Sequence, residues 1–277
     1  MTDGTARTYP HGVPSWVDTE RTDVDGAVAF YRALFGWETD ERATGEPGRR
    51  YVVGTLGGQD VAAICSPGVR PGDGTPAWTT YVSVDDVDST TRGVEDVGGT
   101  VLAHPTTLGT QGRVAVVRDP HGATCGLVQA DDARGAQRVN EPGTWNVSVL
   151  HTPDPERALH FYGPLLGWEV SPDLGAGMVR VPGYGDHLAR TVDPGIHERQ
   201  AFAPPGFADV VAGIVPDAGP ARFTVTFAVA DRDESVARAL AAGAVVVSTT
   251  EDEWTRDAVV RDPQGVELTL SQFAPQA

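Results

Sequence analysis

The sequence predicts an α+β protein of two tandem domains, each made of two strand–helix–strand–strand–strand (βαβββ) modules. Three observations carry this. Residues 30–38 read Phe-Tyr-Arg-Ala-Leu-Phe-Gly-Trp-Glu and residues 161–169 read Phe-Tyr-Gly-Pro-Leu-Leu-Gly-Trp-Glu, so six residues return at an offset of 131. Arg118-Asp119-Pro120-His121-Gly122 returns as Arg261-Asp262-Pro263-Gln264-Gly265 at an offset of 143. Two signals in the same order, half a chain apart, mark a duplicated unit. Around them, short runs alternate with period two and the intervening stretches carry helical spacing.

Residues 1–13, polar with Gly and Pro, read as a loose arm. Domain 1 spans 14–130. Its first module opens with a half-buried strand at 15–21 and a helix from Val24 to Phe35, started by Thr22-Asp23 and stopped by Gly36. Strands at 50–55 and 59–65 and a Pro/Gly loop at 66–76 close it. The second module has a strand at 77–84, a helix capped by Asp85-Asp86 and reaching about Val97, and strands at 100–103, 113–117 and 123–129. Residues 131–143 form a linker.

Domain 2, 144–277, repeats the plan with strands at 144–151, 222–229, 244–248, 257–261 and 266–272. Its helices follow Thr152-Pro153-Asp154, ending at Gly167, and cover 231–242. Pro164 lies inside the first of these, so that helix is expected to kink or end early. Trp37 to Asp86 is 49 residues and Trp168 to Asp231 is 63, placing an insertion of about 14 within 187–220. Such a segment reads as a lid or as a longer surface loop.

A net charge of −17 disfavours nucleic acid and anionic lipid, which need a cationic footprint. No apolar run approaches the roughly 20 residues of a membrane helix, and the N-terminus has no signal-peptide pattern, so a cytoplasmic location is expected. Every basic residue is Arg, which removes lysine chemistry. Cys65 and Cys125, both in apolar runs, read as buried free thiols.

Modules bearing Phe-Tyr-x-x-Leu-x-Gly-Trp-Glu and Asp-Pro-x-Gly resemble the vicinal oxygen chelate superfamily of glyoxalases, bleomycin-resistance proteins and extradiol dioxygenases, over about residues 14–273. It looks specifically like the two-domain glyoxalase-like proteins common in actinobacteria. The resemblance implies a curled mixed sheet in each domain, enclosing a concave cavity. It also implies structural roles for the motifs: the aromatic pair packs helix on sheet and Asp-Pro-x-Gly turns the chain.

Metal-using members carry ligands at positions that here hold Trp16, Thr79 and Gly126 in one half and Val147, Thr224 and Thr269 in the other. A further Glu position falls in Val61–Cys65, which has none. A divalent site needs converging His, Asp, Glu or Cys, so no metal and no other cofactor is expected.

With the ligand positions facing inward, strand parity gives the rest of each cavity lining. One holds Trp16, Asp18, Glu20, Thr79, Tyr81, Ser83, Thr124, Gly126 and Val128; the other holds Val147, Val149, His151, Thr224, Thr226, Ala228, Glu267, Thr269 and Ser271. Asp18 and Glu20, roughly 6–7 Å apart on one strand face, are candidate acid–base groups whose mutual repulsion would raise one pKa. The alternative is a pair of solvated carboxylates. Arg113 is their candidate counter-ion or a ligand anchor.

His151, oriented by Glu267, is the second catalytic candidate, against a histidine simply bonded in place. His187, His197 and Glu198 lie in or beside the insertion, and His104, His121 and His160 read as loop or surface residues. Trp254 covers the second cavity or caps the core. Trp16, Thr79, Tyr81, Arg113, Thr224, Thr226, Trp254 and Thr269 are the candidate substrate contacts.

Such linings suit an organic molecule with an apolar body and scattered polar groups. The first function they suggest is a metal-independent isomerase, lyase or cyclase acting on a hydrophobic secondary metabolite by acid–base catalysis. The second is a non-catalytic protein sequestering a drug or metabolite, as bleomycin-resistance members do. A structural or signalling module fits less well, because a filled core would be apolar. The unequal halves place the enzyme ahead. The expected assembly is a monomer with an internal pseudo-dimer, or a homodimer.

Overall fold

The structure is a computed structural model that describes residues 6–44, 47–70, 77–108, 112–130, 135–175 and 177–275. Parts of the expected arm (1–5), Pro/Gly loop (71–76) and linker (131–134) lie outside them. The first half runs β1 (Pro14–Glu20), α1 (Val24–Phe35), β2 (Glu38–Arg42), β3 (Tyr51–Leu56) and β4 (Gln59–Cys65). Then follow β5 (Trp78–Ser83), α2 (Val87–Arg92), β6 (Thr100–Thr107), β7 (Arg113–Arg118) and β8 (Thr124–Gln129).

The second half runs β9 (Trp145–Thr152), α3 (Pro155–Leu166), β10 (Glu169–Val170), β11 (Met178–Arg180), α4 (Tyr184–Thr191) and α5 (Ile196–Arg199). It continues with β12 (Val210–Pro216), β13 (Arg222–Ala228), α6 (Arg232–Ala241), β14 (Val245–Glu251), β15 (Thr255–Arg261) and β16 (Glu267–Phe273). Each half forms one mixed eight-stranded sheet, ordered β2-β3-β4-β1-β5-β8-β7-β6 and β10-β11-β12-β9-β13-β16-β15-β14. The two modules of a half meet where β1 pairs with β5 and β9 with β13, both antiparallel. No helix among the described residues is long and apolar enough to cross a membrane.

The halves do not keep separate cores. One apolar cluster joins Phe30, Tyr31, Leu34 and Trp37 of α1 and its flank to Phe227, Val260, Leu268 and Leu270 of the second half. The other joins Val82, Ala115 and Leu127 of the first half to Phe161, Tyr162 and Trp168 of the second. The duplicated motifs are the staples between them. The Tyr31 hydroxyl donates to Asp262 Oδ2 at 2.9 Å, and that of Tyr162 donates to Asp119 Oδ2 at 3.2 Å. The indole N–H of Trp37 donates to the Gly143 carbonyl at 2.8 Å, and that of Trp168 to the Gly12 carbonyl at 2.7 Å.

Gly12 and Gly143 hold left-handed φ of +83° and +84°, a region that disfavours a side chain. A Cβ on Gly12 would also lie 1.9 Å from the Leu166 carbonyl oxygen. The aromatic and Asp-Pro-x-Gly motifs therefore act across the halves, beyond the packing and turning expected of them.

Four expectations need correction. Residues 6–13 are not loose: Gly12 N bonds Ser83 O at 2.8 Å, and Val13 packs with Tyr184 and with Leu188 and Ile196 of the insertion. α3 does not end early at Pro164 but runs to Leu166, where Gly167 adopts the left-handed cap. Gly163 offers the proline ring no neighbouring Cβ to meet. α2 stops at Arg92, short of Val97: Gly93 is a poor helix former, and from there Gly93 N bonds Thr90 O at 3.1 Å and Val94 N bonds Thr91 O at 3.2 Å, tight turns in place of the helical ladder. The two strands placed after α1 are three: β2, whose Glu-Thr-Asp-Glu-Arg shows no apolar alternation, precedes them as an exposed edge strand and completes the βαβββ plan.

Candidate functional site

β1 supplies three side chains to the concave face of the first sheet: Trp16, Asp18 and Glu20. Register places Tyr81 opposite Trp16 and Thr79 opposite Asp18 on β5. Asp18 is 1% exposed. The Tyr81 hydroxyl donates to its Oδ1 at 3.2 Å, and the Tyr51 hydroxyl approaches its Oδ2 at 3.5 Å while accepting from the Trp16 indole at 2.8 Å. Behind the carboxylate lies Arg70, with Nε 3.6 Å from Asp18 Oδ1 and 4.0 Å from Glu20 Oε2. The guanidinium also donates to the Thr79 hydroxyl.

Burial pushes the Asp18 carboxyl up to about 6; Arg70 and the Tyr81 hydroxyl oppose that rise, and Glu20 adds to it less strongly. The expected mutual repulsion of the two acids is thus a minor cause. Glu20 accepts from the Gly68 N–H at 3.1 Å and is itself buried, so it is not a solvated carboxylate. Burial likewise holds the Tyr51 and Tyr81 hydroxyls protonated, well above their ordinary value. Arg113 is not the counter-ion: it pairs with Asp88 at 2.9 Å.

Ser15, Trp16, Asp18, Tyr51, Tyr81, Leu108, Val114, Val128, Ala130 and Gly135 line a cavity of about 30 Å³. That volume admits one small polar group such as a hydroxyl or a carbonyl, so a larger molecule would present only its reacting end. An apolar wall, two phenols and one acid with a pKa near neutrality can move a proton at that end.

These residues do not fit a divalent metal. Gly126 has no side chain, and a Cβ there would fall 2.1 Å from the Tyr81 ring. Trp16 offers only an indole, Thr79 is engaged by a guanidinium, and that fixed cation repels a second one. In the second half Val147, Thr224 and Thr269 offer hydroxyls at best. Among the described residues no three His, Cys, Asp or Glu side chains cluster.

The second concave face differs. His151 Nε2 lies 3.1 Å from the Thr224 hydroxyl and Nδ1 lies 3.4 Å from Asp217 Oδ2. Its carboxylate partner is therefore Asp217, not Glu267. Glu267 is held by Arg261 at 2.7 Å, on a strand separated from β9 by β13. Burial and the nearby Arg222 lower the His151 pKa, against the pull of Asp217. Val147, Val149, Thr224 and Thr269 are partly exposed and Thr226 is buried, so this face is more open than the first.

The insertion does not bring its histidines to that face. His187 bonds Thr8 of the N-terminal arm, and His197 bonds Asp186 of α4. His121 is not a free surface residue, since Nδ1 lies 3.3 Å from the Thr152 hydroxyl of the other half. Trp254 caps no core; it stacks on Phe202. Both thiols are free and buried, and burial pushes that of Cys125 up to about 12.

Sequence reasoning missed Tyr51, Arg70, Asp217 and Phe202. Tyr51 opens a strand whose register with β1 is indirect, and the other three sit in or beside loops with no periodicity.

Comparison with known proteins agrees with this architecture. Residues 17–126 match the family described as the glyoxalase/bleomycin resistance protein/dioxygenase superfamily. Residues 146–271 match the glyoxalase-like domain. The glyoxylase-like protein CFP32 of Mycobacterium tuberculosis is 36% identical over 274 residues, 97% of each chain. The anthracycline biosynthesis protein DnrV of Streptomyces peucetius is 31% identical over 279 residues, 96% of this chain and 94% of that one. Among solved structures, the Mn(II)-bound glyoxalase of Novosphingobium aromaticivorans shares the fold with a TM-score of 0.60 at 18% identity, covering 95% of this chain and 82% of that one.

Proposed function

The chain belongs to the glyoxalase/bleomycin resistance/dioxygenase (vicinal oxygen chelate) superfamily, and from that premise we propose a metal-independent acid–base enzyme for a small, largely hydrophobic organic molecule. The observation that carries this is Asp18, a buried carboxyl on a cavity wall, bonded by Tyr81 and backed by Arg70. In its carboxylate form Asp18 takes a proton from the group that enters the cavity. The acid so formed returns that proton to another atom of the same molecule, which is isomerase, lyase or cyclase chemistry. Tyr81 holds the carboxylate in place, and Arg70 favours its charged form. Trp16, Val114 and Val128 exclude water from the reacting end.

A ligand of secondary-metabolite type is supported by the relative named for anthracycline biosynthesis. The His151 and Asp217 pair on the second face remains a contact site in this reading, since it has no second acid within its bonded set.

The test is proton exchange at carbon. The protein is incubated in heavy water with aromatic ketones such as alpha-tetralone, and deuterium uptake beside the carbonyl is read by NMR. Uptake that depends on the protein and disappears in Asp18→Asn supports the proposal. Saturable binding without uptake assigns sequestration instead.

A further inference from the structure

We propose that β14 is the contact through which two copies of this chain pair, antiparallel and across a two-fold axis, joining their second-half sheets into one. Among the described residues the two sheets have four edges, β2, β6, β10 and β14. An open edge offers unpaired N–H and C=O groups to any strand that fits. Three of these edges are guarded. β2 carries Glu38, Asp40 and Glu41 against Arg42, β10 is two residues long, and β6 holds Pro105 and two breaks in register. β14 is seven residues, Val-Val-Val-Ser-Thr-Thr-Glu, with no proline and one break in register. It pairs on one side with β15, and among the described residues no other backbone group bonds residues 245–250. Every residue of β14 is exposed, Val245 to 51%, Val246 to 39% and Val247 to 44%.

A second copy is the occupant that the charge pattern selects. At a net charge of −17 two copies repel wherever their acids meet, and they approach most easily on an uncharged stretch. Residues 244–250 carry no charge. Glu251, at the end of that stretch, is paired with Arg232 at 2.7 Å and with Arg256 at 3.0 Å. Pairing through β2 would instead set the three acids of one copy against those of the other. Identical strands meeting antiparallel obey a two-fold axis, which uses the same residues on both sides and closes at two copies. Such pairing bonds the outward N–H and C=O groups of β14. It also lays the valines of each copy beside the other's strand, where β-branched side chains pack well. The contact belongs to the other half from Asp18 and does not depend on chemistry there.

The test is sedimentation velocity of the whole chain at rising concentration. Wild type is expected to reach twice the mass of one chain. The double variant Val246→Glu, Val247→Glu is expected to stay monomeric, because it sets like charges together on an acidic chain. Thr39→Glu, on the β2 edge, is expected to sediment as wild type does. All three side chains are exposed, so unchanged circular dichroism spectra accompany the loss. Cross-linking then reads which edge is used. Cys65 and Cys125 are buried, so a short bismaleimide reacts chiefly with an introduced surface thiol. Ser248→Cys is expected to give a covalent dimer and Thr39→Cys to give none. A monomer at every concentration, a dimer that persists in the double variant, or equal cross-linking of the two cysteine variants would overturn the proposal.

Discussion

Arg70 stands with Nε 3.6 Å from Asp18 Oδ1, and that Nε has no hydrogen-bond partner of its own. The contact is therefore one of charge more than of bonding. Burial raises the Asp18 pKa and Arg70 is the strongest influence holding it down. Arg70→Met should move the ascending limb of kcat/KM to higher pH by about 1–3 units, because the active carboxylate then forms only at higher pH. Arg70→Lys, which keeps the charge, should move it less. A limb that stays in place in the Met variant contradicts the assigned role.

Stability should carry the same signature. The Asp18 pKa rises from 3.8 in the unfolded chain to about 6 in the fold, so the fold favours the protonated acid. That stabilisation is fully present below the unfolded value and is lost as pH rises through about 6. Relative to Asp18→Asn, wild type should lose on the order of 3 kcal/mol between about pH 4 and pH 7. Urea unfolding of both proteins at the two pH values measures the difference.

The two cross-half staples should not be equal. Asp262 accepts from Tyr31 and also from Arg21, a fully buried guanidinium, at 3.0 Å. Asp119 accepts from Tyr162, and Thr152 stands where the first half has Arg21. Asp262→Ala should cost about 3–5 kcal/mol, because it strands a buried cation. Asp119→Ala should cost about 1–3 kcal/mol. Equal losses on denaturant titration would mean that Arg21 finds another partner.

Chelation should leave the reaction intact. Dialysis against EDTA is expected to leave deuterium uptake unchanged, since Trp16, Thr79 and Gly126 cannot hold a divalent ion beside the Arg70 guanidinium. Activity lost on chelation and restored by one equivalent of metal would contradict the donor-set argument.

The duplicated motifs made the fold legible, because a repeat with Gly stops and Asp starts dictates where helices begin and end. What they do across the halves was not legible: nothing in Tyr31 or Trp37 says that its partner lies more than a hundred residues away at Asp262 or Gly143. Parity on β1 and β5 placed Trp16, Asp18, Glu20, Thr79 and Tyr81 together, since a strand's period is rigid. Arg70 escaped because its loop has no period, and the counter-ion was sought at Arg113 on a strand instead. Glu267 was paired with His151 by face alone, without the strand order that separates them.

The central claim is that Asp18 titrates near neutrality, and carbon-13 NMR of protein labelled at the aspartate side-chain carboxyl tests it most directly. One carboxyl resonance titrating at about 6 and missing from Asp18→Asn is expected. An Asp18 resonance that titrates in the ordinary carboxylate range, about 4, would contradict the account.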